Sequence, residues 1–291
     1  MAEFNIGFIG LGTMGEPMCK NVLKGTGETV FVYDINDDQV KILAGAGATA
    51  CSSIKEVAEK SNLIIIMVPN NDNVRDVINE LLPNLKKGTI VMDMSTISPS
   101  VSREMAEKVK DTGSVMIDAP VVKSKGAAIA GTLGILVGGD KEILAKVRPI
   151  LEMMGEEVTY MGGNGNGLVL KLVHNMLVGN IQNGVNEAIL MGQKAGLDFD
   201  AMIKGIKSGG GQNFYMDVKA DSIKNRDFEI KFSVKNMHKD VWLHKKLADQ
   251  LKLDILGSDR VRDVYDKAVD DFPQEDFSAT IKVVEEECKE E

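Results

Sequence analysis

The most informative part of the sequence is the stretch Phe4-Asn-Ile-Gly-Phe-Ile-Gly10-Leu-Gly12-Thr-Met-Gly15. Its first half is an apolar run typical of a buried strand, and the amphipathic residues Thr13–Leu23 predict a helix directly after it. In the G-x-G-x-x-G motif the first glycine permits a tight turn, the second lets the backbone approach a pyrophosphate, and the third lets the helix pack closely on the strand. We therefore predict a unit that binds a dinucleotide at its turn and at the helix N-terminus, through Gly10, Leu11, Gly12, Thr13, Met14 and Gly15.

An acidic residue, Asp34, stands at the end of the second predicted strand, Thr29–Tyr33, about 20 residues after the glycines. A carboxylate at this place accepts hydrogen bonds from the hydroxyl groups of the adenosine ribose and repels a 2′-phosphate. The next residues, Ile35 and Asn36, include no arginine that could hold such a phosphate. The sequence therefore predicts NAD (NADH in the reducing direction) as the cofactor, with NADP less favoured.

Short apolar runs alternate with amphipathic stretches through the rest of the first half. Further strands are predicted at Leu63–Val68, Thr89–Asp93, Ser114–Asp118, Leu133–Val137 and Val158–Met161, with helices at Asp37–Ala46, Asn73–Leu85, Ser98–Asp111 and Lys141–Met154. The strands are uniformly apolar, which is typical of strands buried on both faces of a parallel sheet. This alternation predicts an α/β fold with an N-terminal doubly wound sheet of the Rossmann type.

The character of the sequence changes after the glycine-rich segment Gly162-Gly-Asn-Gly-Asn-Gly167. Helical periodicity then dominates, first over the long stretch Leu168–Ala195. Later helices are predicted at Asp200–Lys207, Lys235–Gln250, Ser258–Asp270 and Ser278–Glu287. We therefore expect a dinucleotide-binding Rossmann domain over residues 1–163 and an all-α domain for substrate binding and dimerisation over residues 164–291, with a long interdomain helix.

Composition excludes several classes of protein. The chain has 291 residues, 44% of them hydrophobic, and a formal net charge of −9, so it lacks the basic surface that nucleic-acid binding needs. The apolar run Leu63–Val68 is far shorter than the roughly 20 residues of a membrane helix, and the N-terminal residues do not resemble a signal peptide. Cys19, Cys51 and Cys288 show no pairing pattern, and no group of side chains has zinc-ligand spacing. We expect a cytoplasmic protein with no metal, membrane or nucleic-acid partner.

Four sequence blocks resemble the β-hydroxyacid dehydrogenases, the family of the 3-hydroxyisobutyrate and tartronate semialdehyde enzymes. They are Gly7-Phe-Ile-Gly-Leu-Gly-Thr-Met-Gly-Glu-Pro-Met18, Asp118-Ala-Pro-Val121 with Gly131-Thr-Leu133, Gly165-Asn-Gly-Leu-Val-Leu-Lys171-Leu-Val-His-Asn175, and His238-Lys-Asp240. The blocks occur in the family's order and span nearly the whole chain. The resemblance implies an oxidoreductase that interconverts a small anionic 3-hydroxy acid and its semialdehyde.

Lys171 is the candidate catalytic residue. Hydride transfer from an alcohol needs a group that takes the hydroxyl proton, and the reverse reaction needs a group that returns it. A lysine on the first turns of a helix is unfavourable for the helix dipole, and desolvation there would favour its neutral form. The resemblance implies that Lys171 is the catalytic lysine, and that Asn175, four residues on and on the same helical face, orients the substrate.

The resemblance also implies further cofactor contacts outside the glycine turn. Val68, Pro69 and Asn73 follow a predicted strand, where parallel sheets place their ligands, and Thr96 follows the next one. Lys239 matches the family's lysine that reaches toward the nicotinamide ribose from the second domain. Members of the family form dimers and tetramers through the helical domain, which implies a homodimer or homotetramer.

One segment departs from the family pattern. The family continues Asp-Ala-Pro-Val with Ser-Gly-Gly, which receives the substrate carboxylate, whereas this chain has Val122-Lys123-Ser124. Sulfolactaldehyde reductases of the same superfamily are similar here, since they carry an arginine at the position of Lys123 to hold a sulfonate. Lys123 and Ser124 are therefore predicted substrate ligands, with Lys123 as the anchor of a sulfonate or of a distal carboxylate.

Two other interpretations are less well supported. The segment Lys171-Leu-Val-His174-Asn175 also resembles 6-phosphogluconate dehydrogenases, but the glutamate that they need for decarboxylation is replaced here by Val178. His174 is then expected to pack within the helix. A non-catalytic sensor of NAD would have no need of Lys171 and Asn175, and both are present.

Overall fold

The computed structural model describes residues 4–288. The chain forms two compact units, the first ending at Lys171 and the second beginning at Leu172. This division lies inside the long helix, a few residues after the predicted domain boundary at residues 163 and 164. The assignment of cofactor binding to one domain and of substrate binding and dimerisation to the other stays a prediction.

The first unit is built on one sheet. Its strands in the described residues are β1 Ile6–Ile9, β2 Val30–Tyr33, β3 Thr49–Ala50, β4 Leu63–Ile66, β5 Ile90–Asp93, β6 Val115–Asp118, β7 Val121–Val122, β8 Leu133–Gly138 and β9 Gly155–Gly162. They lie in the order β3-β2-β1-β4-β5-β6-β8-β7, with β9 beside β8. The pairs from β3 to β6 are parallel, and β8 is antiparallel to β6 and β7. The order reverses between β1 and β4, which is where doubly wound sheets bind their ligands.

Seven α-helices connect and cover these strands within the described residues. They are α1 Gly15–Thr26, α2 Asp37–Gly45, α3 Ile54–Lys60, α4 Asn71–Leu81, α5 Pro99–Asp111, α6 Lys125–Ala130 and α7 Lys141–Leu151. Ile65 of β4 packs in one apolar cluster, while its neighbours Ile64 and Ile66 pack in another. Successive side chains of a strand point to opposite faces, so both faces of the sheet are covered. The predicted doubly wound sheet is confirmed.

The second half is helical, as predicted. Its helices in the described residues are α8 Asn166–Lys194, α9 Phe199–Lys207, α10 Phe214–Asn225, α11 Val234–Gln250, α12 Leu256–Asp271 and α13 Ile281–Glu287. Helix α10, which follows the glycine-rich segment 209–211, was not predicted from the sequence. Helices α3 and α6 and the two-residue strands β3 and β7 were not predicted either, because elements this short carry little periodic signal.

A buried ion pair lies among the apolar side chains of the second unit. Lys219 Nζ lies 2.7 Å from Asp276 Oδ1, and both side chains are almost completely buried. Asp276 also accepts hydrogen bonds from the backbone N–H groups of Lys231, Phe232 and Ser278, so its buried carboxylate is fully paired. None of the helices described here is long and apolar enough to cross a membrane.

Candidate functional site

The glycine turn joins β1 to α1 and is very tightly packed at two positions. Gly10 has φ +92°, and a Cβ atom there would lie 2.2 Å from the carbonyl oxygen of Met67. A Cβ atom on Gly15 would lie 2.0 Å from the carbonyl oxygen of Gly10. Neither contact is possible for a real side chain, so the turn needs glycine at both positions for its own geometry.

Gly12 differs from the other two glycines because its surroundings are open. A Cβ atom there would meet no atom of the described residues within 4 Å. The N-cap residue of α1, Met14, makes no side-chain cap hydrogen bond, so backbone N–H groups at the helix start can face a ligand. An exposed glycine before such a helix start is suited to the pyrophosphate of a dinucleotide. These residues fit a dinucleotide cofactor.

Asp34 lies beside this turn, at the end of β2. Its Oδ2 accepts a hydrogen bond from the N–H group of Leu11 at 2.6 Å, and its Oδ1 accepts one from the N–H group of Asn36 at 2.7 Å. These bonds hold the carboxylate in one orientation next to the glycine turn. The following residue, Ile35, is 93% exposed and offers no charge to a 2′-phosphate.

The carboxyl ends of β4 and β5 carry the other predicted cofactor residues of the first unit. The N–H group of Val68 donates to Ser95 Oγ at 2.9 Å, which ties the two strand ends together. Pro69 is exposed, while Asn73 in the first turn of α4 and Thr96 after β5 are half-buried. All of these residues lie at the same edge of the sheet as the glycine turn, because the strands are parallel.

Lys171 lies in the second turn of α8 and is only 8% exposed. The start of this helix is held by Asp118, the last residue of β6. Asp118 Oδ1 accepts the N–H group of Gly165 at 2.5 Å, and Oδ2 accepts that of Leu168 at 3.0 Å. Burial raises the pKa of Asp118 to about 6, although these two N–H groups and Arg103 act in the opposite direction.

Asn175 belongs to a chain of polar groups in the second unit. Its Nδ2 donates to Asp240 Oδ2 at 2.6 Å, and Lys239 Nζ lies 2.9 Å from Asp240 Oδ1. Asn175 and Asp240 are 3% and 1% exposed. His174 Nδ1 lies 2.9 Å from Asn175 Oδ1, and His174 is half-buried. One buried carboxylate thus holds the amide of Asn175 through a hydrogen bond and forms an ion pair with the ammonium group of Lys239.

The other two histidines are poor candidates for proton transfer. Burial lowers the pKa of His244 to about 4, so its ring is neutral at physiological pH. His238 Nε2 lies 2.7 Å from Asp266 Oδ1, and Trp242 Nε1 donates to the same oxygen at 2.8 Å. These contacts link α11 to α12 and give His238 a structural role.

Lys123 has an unusual backbone and a paired side chain. Its φ is +79°, in the left-handed region that favours glycine, which is the residue that the family pattern has here. Its Nζ donates to the carbonyl oxygen of Thr132 at 2.6 Å and forms an ion pair with the Glu156 carboxylate. Ser124 is the N-cap residue of α6. An anion bound at Lys123 would compete with Glu156 for its ammonium group.

Sequence reasoning assigned no role to Asp118, Asp240 and Ser95. All three stood inside or beside quoted motifs, and Asp240 directly follows Lys239. The position of Asp240 next to Lys239 was the available signal for its role, because a buried carboxylate needs a partner and a neighbouring lysine can provide one. Their partners lie far away in the sequence and could not be read from spacing.

Comparisons with known proteins identify the family of this chain. Residues 5–162 match the family described as the NAD binding domain of 6-phosphogluconate dehydrogenase. Residues 165–284 match the family described as NAD-binding of NADP-dependent 3-hydroxyisobutyrate dehydrogenase. Mouse mitochondrial 3-hydroxyisobutyrate dehydrogenase is 35% identical over 293 residues, which cover 97% of this chain and 87% of that protein. The chain belongs to the β-hydroxyacid dehydrogenase family.

Two further relatives place the chain within the β-hydroxyacid dehydrogenases. The 2-(hydroxymethyl)glutarate dehydrogenase of Eubacterium barkeri is 34% identical over 290 residues, covering 98% of this chain and 96% of that protein. The solved structure of Mycobacterium tuberculosis 3-hydroxyisobutyrate dehydrogenase with L-serine superimposes with a TM-score of 0.91 at 30% identity, covering 97% of this chain and 99% of that one. The resemblance found in the four sequence blocks is confirmed. The chain is an NAD(P)-dependent hydroxyacid dehydrogenase.

Proposed function

We propose that this β-hydroxyacid dehydrogenase interconverts a small anionic 3-hydroxy acid and its semialdehyde, with NADH as the preferred cofactor. The observation that carries the proposal is the burial of Lys171, 8% exposed, on the same helix as Asn175, 3% exposed. Both desolvation and the helix dipole disfavour a charged ammonium group that is buried near the start of a helix. A role in proton transfer therefore accounts for the position of Lys171 better than a role in stability.

Lys171 is proposed to move the proton of the reaction. In the oxidising direction its neutral amine accepts the hydroxyl proton of the substrate, and in the reducing direction its ammonium group returns a proton to the carbonyl oxygen. The bound nicotinamide cofactor accepts the hydride in the first case and donates it in the second. Asn175 is proposed to orient the substrate, and its amide is kept in one rotamer by the hydrogen bond to Asp240.

The substrate class is supported by the chemistry that the relatives' names describe. 2-(Hydroxymethyl)glutarate carries a primary alcohol and two carboxylates, and 3-hydroxyisobutyrate carries a primary alcohol and one. L-Serine, bound in the mycobacterial structure, has the same hydroxymethyl group and carboxylate. In each molecule the hydroxymethyl carbon is bonded directly to a carbon that bears a carboxylate. Kinetics on a panel of semialdehydes that carry one carboxylate, two carboxylates or a sulfonate test the proposal.

The preference for NADH is proposed from Asp34, and its replacement is expected to remove most of the preference. In Asp34→Asn the amide no longer repels a 2′-phosphate, so the KM ratio of NADPH to NADH should fall by about tenfold or more, a change worth about 1.4 kcal/mol. Initial rates with both cofactors measure the ratio. Asp37→Asn removes an exposed acid two residues beyond Ile35 and is the control. An unchanged ratio in Asp34→Asn would contradict the assignment.

Lys123 is proposed as the anchor of a second anionic group on the substrate, and reduction of 3-sulfolactaldehyde is the alternative activity. The observation that favours this role is the positive φ of a residue with a side chain, a conformation that costs about 1 kcal/mol or more relative to glycine.

Cytoplasmic location and assembly as a homodimer or homotetramer stay predictions.

Replacing Lys123 and Glu156 separately tests the anchor. Lys123→Gly is expected to raise KM for dicarboxylate or sulfonate semialdehydes about tenfold and to leave monocarboxylate substrates nearly unchanged, since a charged hydrogen bond contributes about 1.5–3 kcal/mol. Glu156→Gln removes the competing carboxylate and should lower KM for the same dianions. Steady-state kinetics on the semialdehyde panel measure both effects. Equal effects on all substrates would show that the lysine only supports the loop.

A further inference from the structure

The start of α8 is attached to the sheet by one carboxylate. Asp118 Oδ1 accepts the N–H group of Gly165, just before the helix, and Oδ2 accepts that of Leu168 in its first turn. This is the task of an N-cap side chain, but here the carboxylate comes from the end of strand β6 rather than from the helix itself.

The space around this carboxylate is closed by glycines. A Cβ atom on Gly138, the strand neighbour of Asp118, would lie 2.6 Å from Oδ1, and one on Gly167 would lie 2.8 Å from Oδ2. The same atom on Gly167 would lie 2.2 Å from the carbonyl oxygen of Leu136. Asp118 is 0% exposed, so no room remains for it to take another orientation.

We propose that Asp118 is a positioning residue for Lys171. Lys171 follows Leu168 by about one helical turn, and the first turn of α8 cannot rotate or shift without breaking the two hydrogen bonds to Asp118. The carboxylate therefore sets the axial position of Lys171, and a displacement of about 1 Å at a reacting group lowers rates by about 100-fold. This inference rests on the proposed role of Lys171.

At neutral pH the buried charge of the Asp118 carboxylate lowers the stability of the fold. A role of Asp118 in positioning Lys171 can therefore be tested separately from a role in stability. Because burial raises its pKa from 3.8 to about 6, the folded chain holds this proton more tightly than the unfolded chain does. The contribution of Asp118 to stability is therefore greatest below its ordinary pKa and is lost as the pH rises through about 6. At neutral pH a neutral amide of the same shape is expected to leave the fold intact.

The test compares Asp118→Asn with Asp198→Asn. Asp198 caps α9 by accepting the N–H group of Ala201, so its replacement removes a helix cap without touching the start of α8. In Asp118→Asn we expect kcat to fall about 10- to 100-fold while the Kd for NADH changes less than about twofold; Asp198→Asn should keep kcat within about twofold. Equal kcat in the two variants would overturn the proposal.

The pH profile supplies a readout that a purely structural role would not move. In the reducing direction the proposed mechanism uses the ammonium form of Lys171, which a lower pH favours. We expect the kcat of the unaltered protein nevertheless to fall as the pH drops through about 6, and this decrease to be absent in Asp118→Asn. Among the described residues, the charged groups placed against Asp118 include Arg103 from α5 and Asp93, its buried register partner on β5.

A second measurement does not need the variant to fold. The amide signals of Gly165 and Leu168, observed by NMR in the unaltered protein, should titrate with the same midpoint as kcat, because both N–H groups bond to the titrating carboxylate. A kcat that stays constant through this midpoint would overturn the proposal. If Lys171→Ala keeps its activity, the proposed function fails; if it loses activity and Asp118→Asn does not, only this inference fails.

Discussion

Replacing Lys171 with alanine is expected to lower kcat by about 100-fold or more, because the reaction loses the group that moves its proton. Lys171 is not among the residues proposed to bind the dinucleotide, so the Kd for NADH should change little. Stopped-flow single turnovers and fluorescence titration with NADH measure the two quantities. This is the largest effect on catalysis that we expect from any single substitution.

The matched control is Lys194→Ala. Lys194 is an exposed lysine in the last turn of the same helix, so its replacement removes the same side chain from α8 without touching the proposed chemistry. Its kcat should stay within about twofold of the unaltered protein. If Lys171→Ala retains activity within about tenfold, a change of only about 1.4 kcal/mol, another group moves the proton and the role of Lys171 is wrong.

Alanine at Gly15 should lower the stability of the fold, whereas alanine at Gly12 should weaken the binding of NADH. At Gly15 the added methyl group would lie 2.0 Å from the backbone oxygen of Gly10, so we expect a loss of about 2 kcal/mol or more in the free energy of unfolding. At Gly12 the methyl group meets open space, so stability should change by less than about 0.5 kcal/mol. It would stand where the backbone approaches a pyrophosphate, and the Kd for NADH should rise about tenfold or more.

Urea denaturation and NADH titration of the two variants separate the two roles. Gly45→Ala at the end of α2 is the control, because a Cβ atom there also meets no atom of the described residues within 4 Å. It should leave the Kd for NADH unchanged and raise the free energy of unfolding by no more than about 1 kcal/mol, since alanine is the better helix former. A Gly12→Ala variant that binds NADH normally would show that the turn does not receive the pyrophosphate.

Features with short sequence separation were predictable. The strand, the glycine turn and the helix from Ile6 to Thr26 form one local unit, whose spacing alone indicates a dinucleotide-binding turn. Uniformly apolar runs such as Leu63–Ile66 predicted strands buried on both faces, and the structure confirms them. Elements with weak periodicity, such as α10, were not predicted, because their sequences carry no local signal.

The roles of lysines depended on distant partners. Lys123 was predicted as an anion anchor from its position in a motif, but its ion pair with Glu156 joins residues 33 positions apart. Asp240 reaches Asn175 across 65 positions, and Asp118 reaches Leu168 across 50. No pattern in the sequence indicates such pairs, because they form only when separate elements pack together.

The sequence alone therefore determined the family, the parallel sheet and the candidate residues of the glycine turn, since these follow from local spacing and residue type. Only the tertiary structure showed which groups hold the start of α8 and the amide of Asn175 in place. Asp118 anchors the first turn of α8, and Asp240 orients Asn175. The physical reason is that a buried carboxylate must be paired, and its partners are chosen by packing across the chain rather than by neighbours along it.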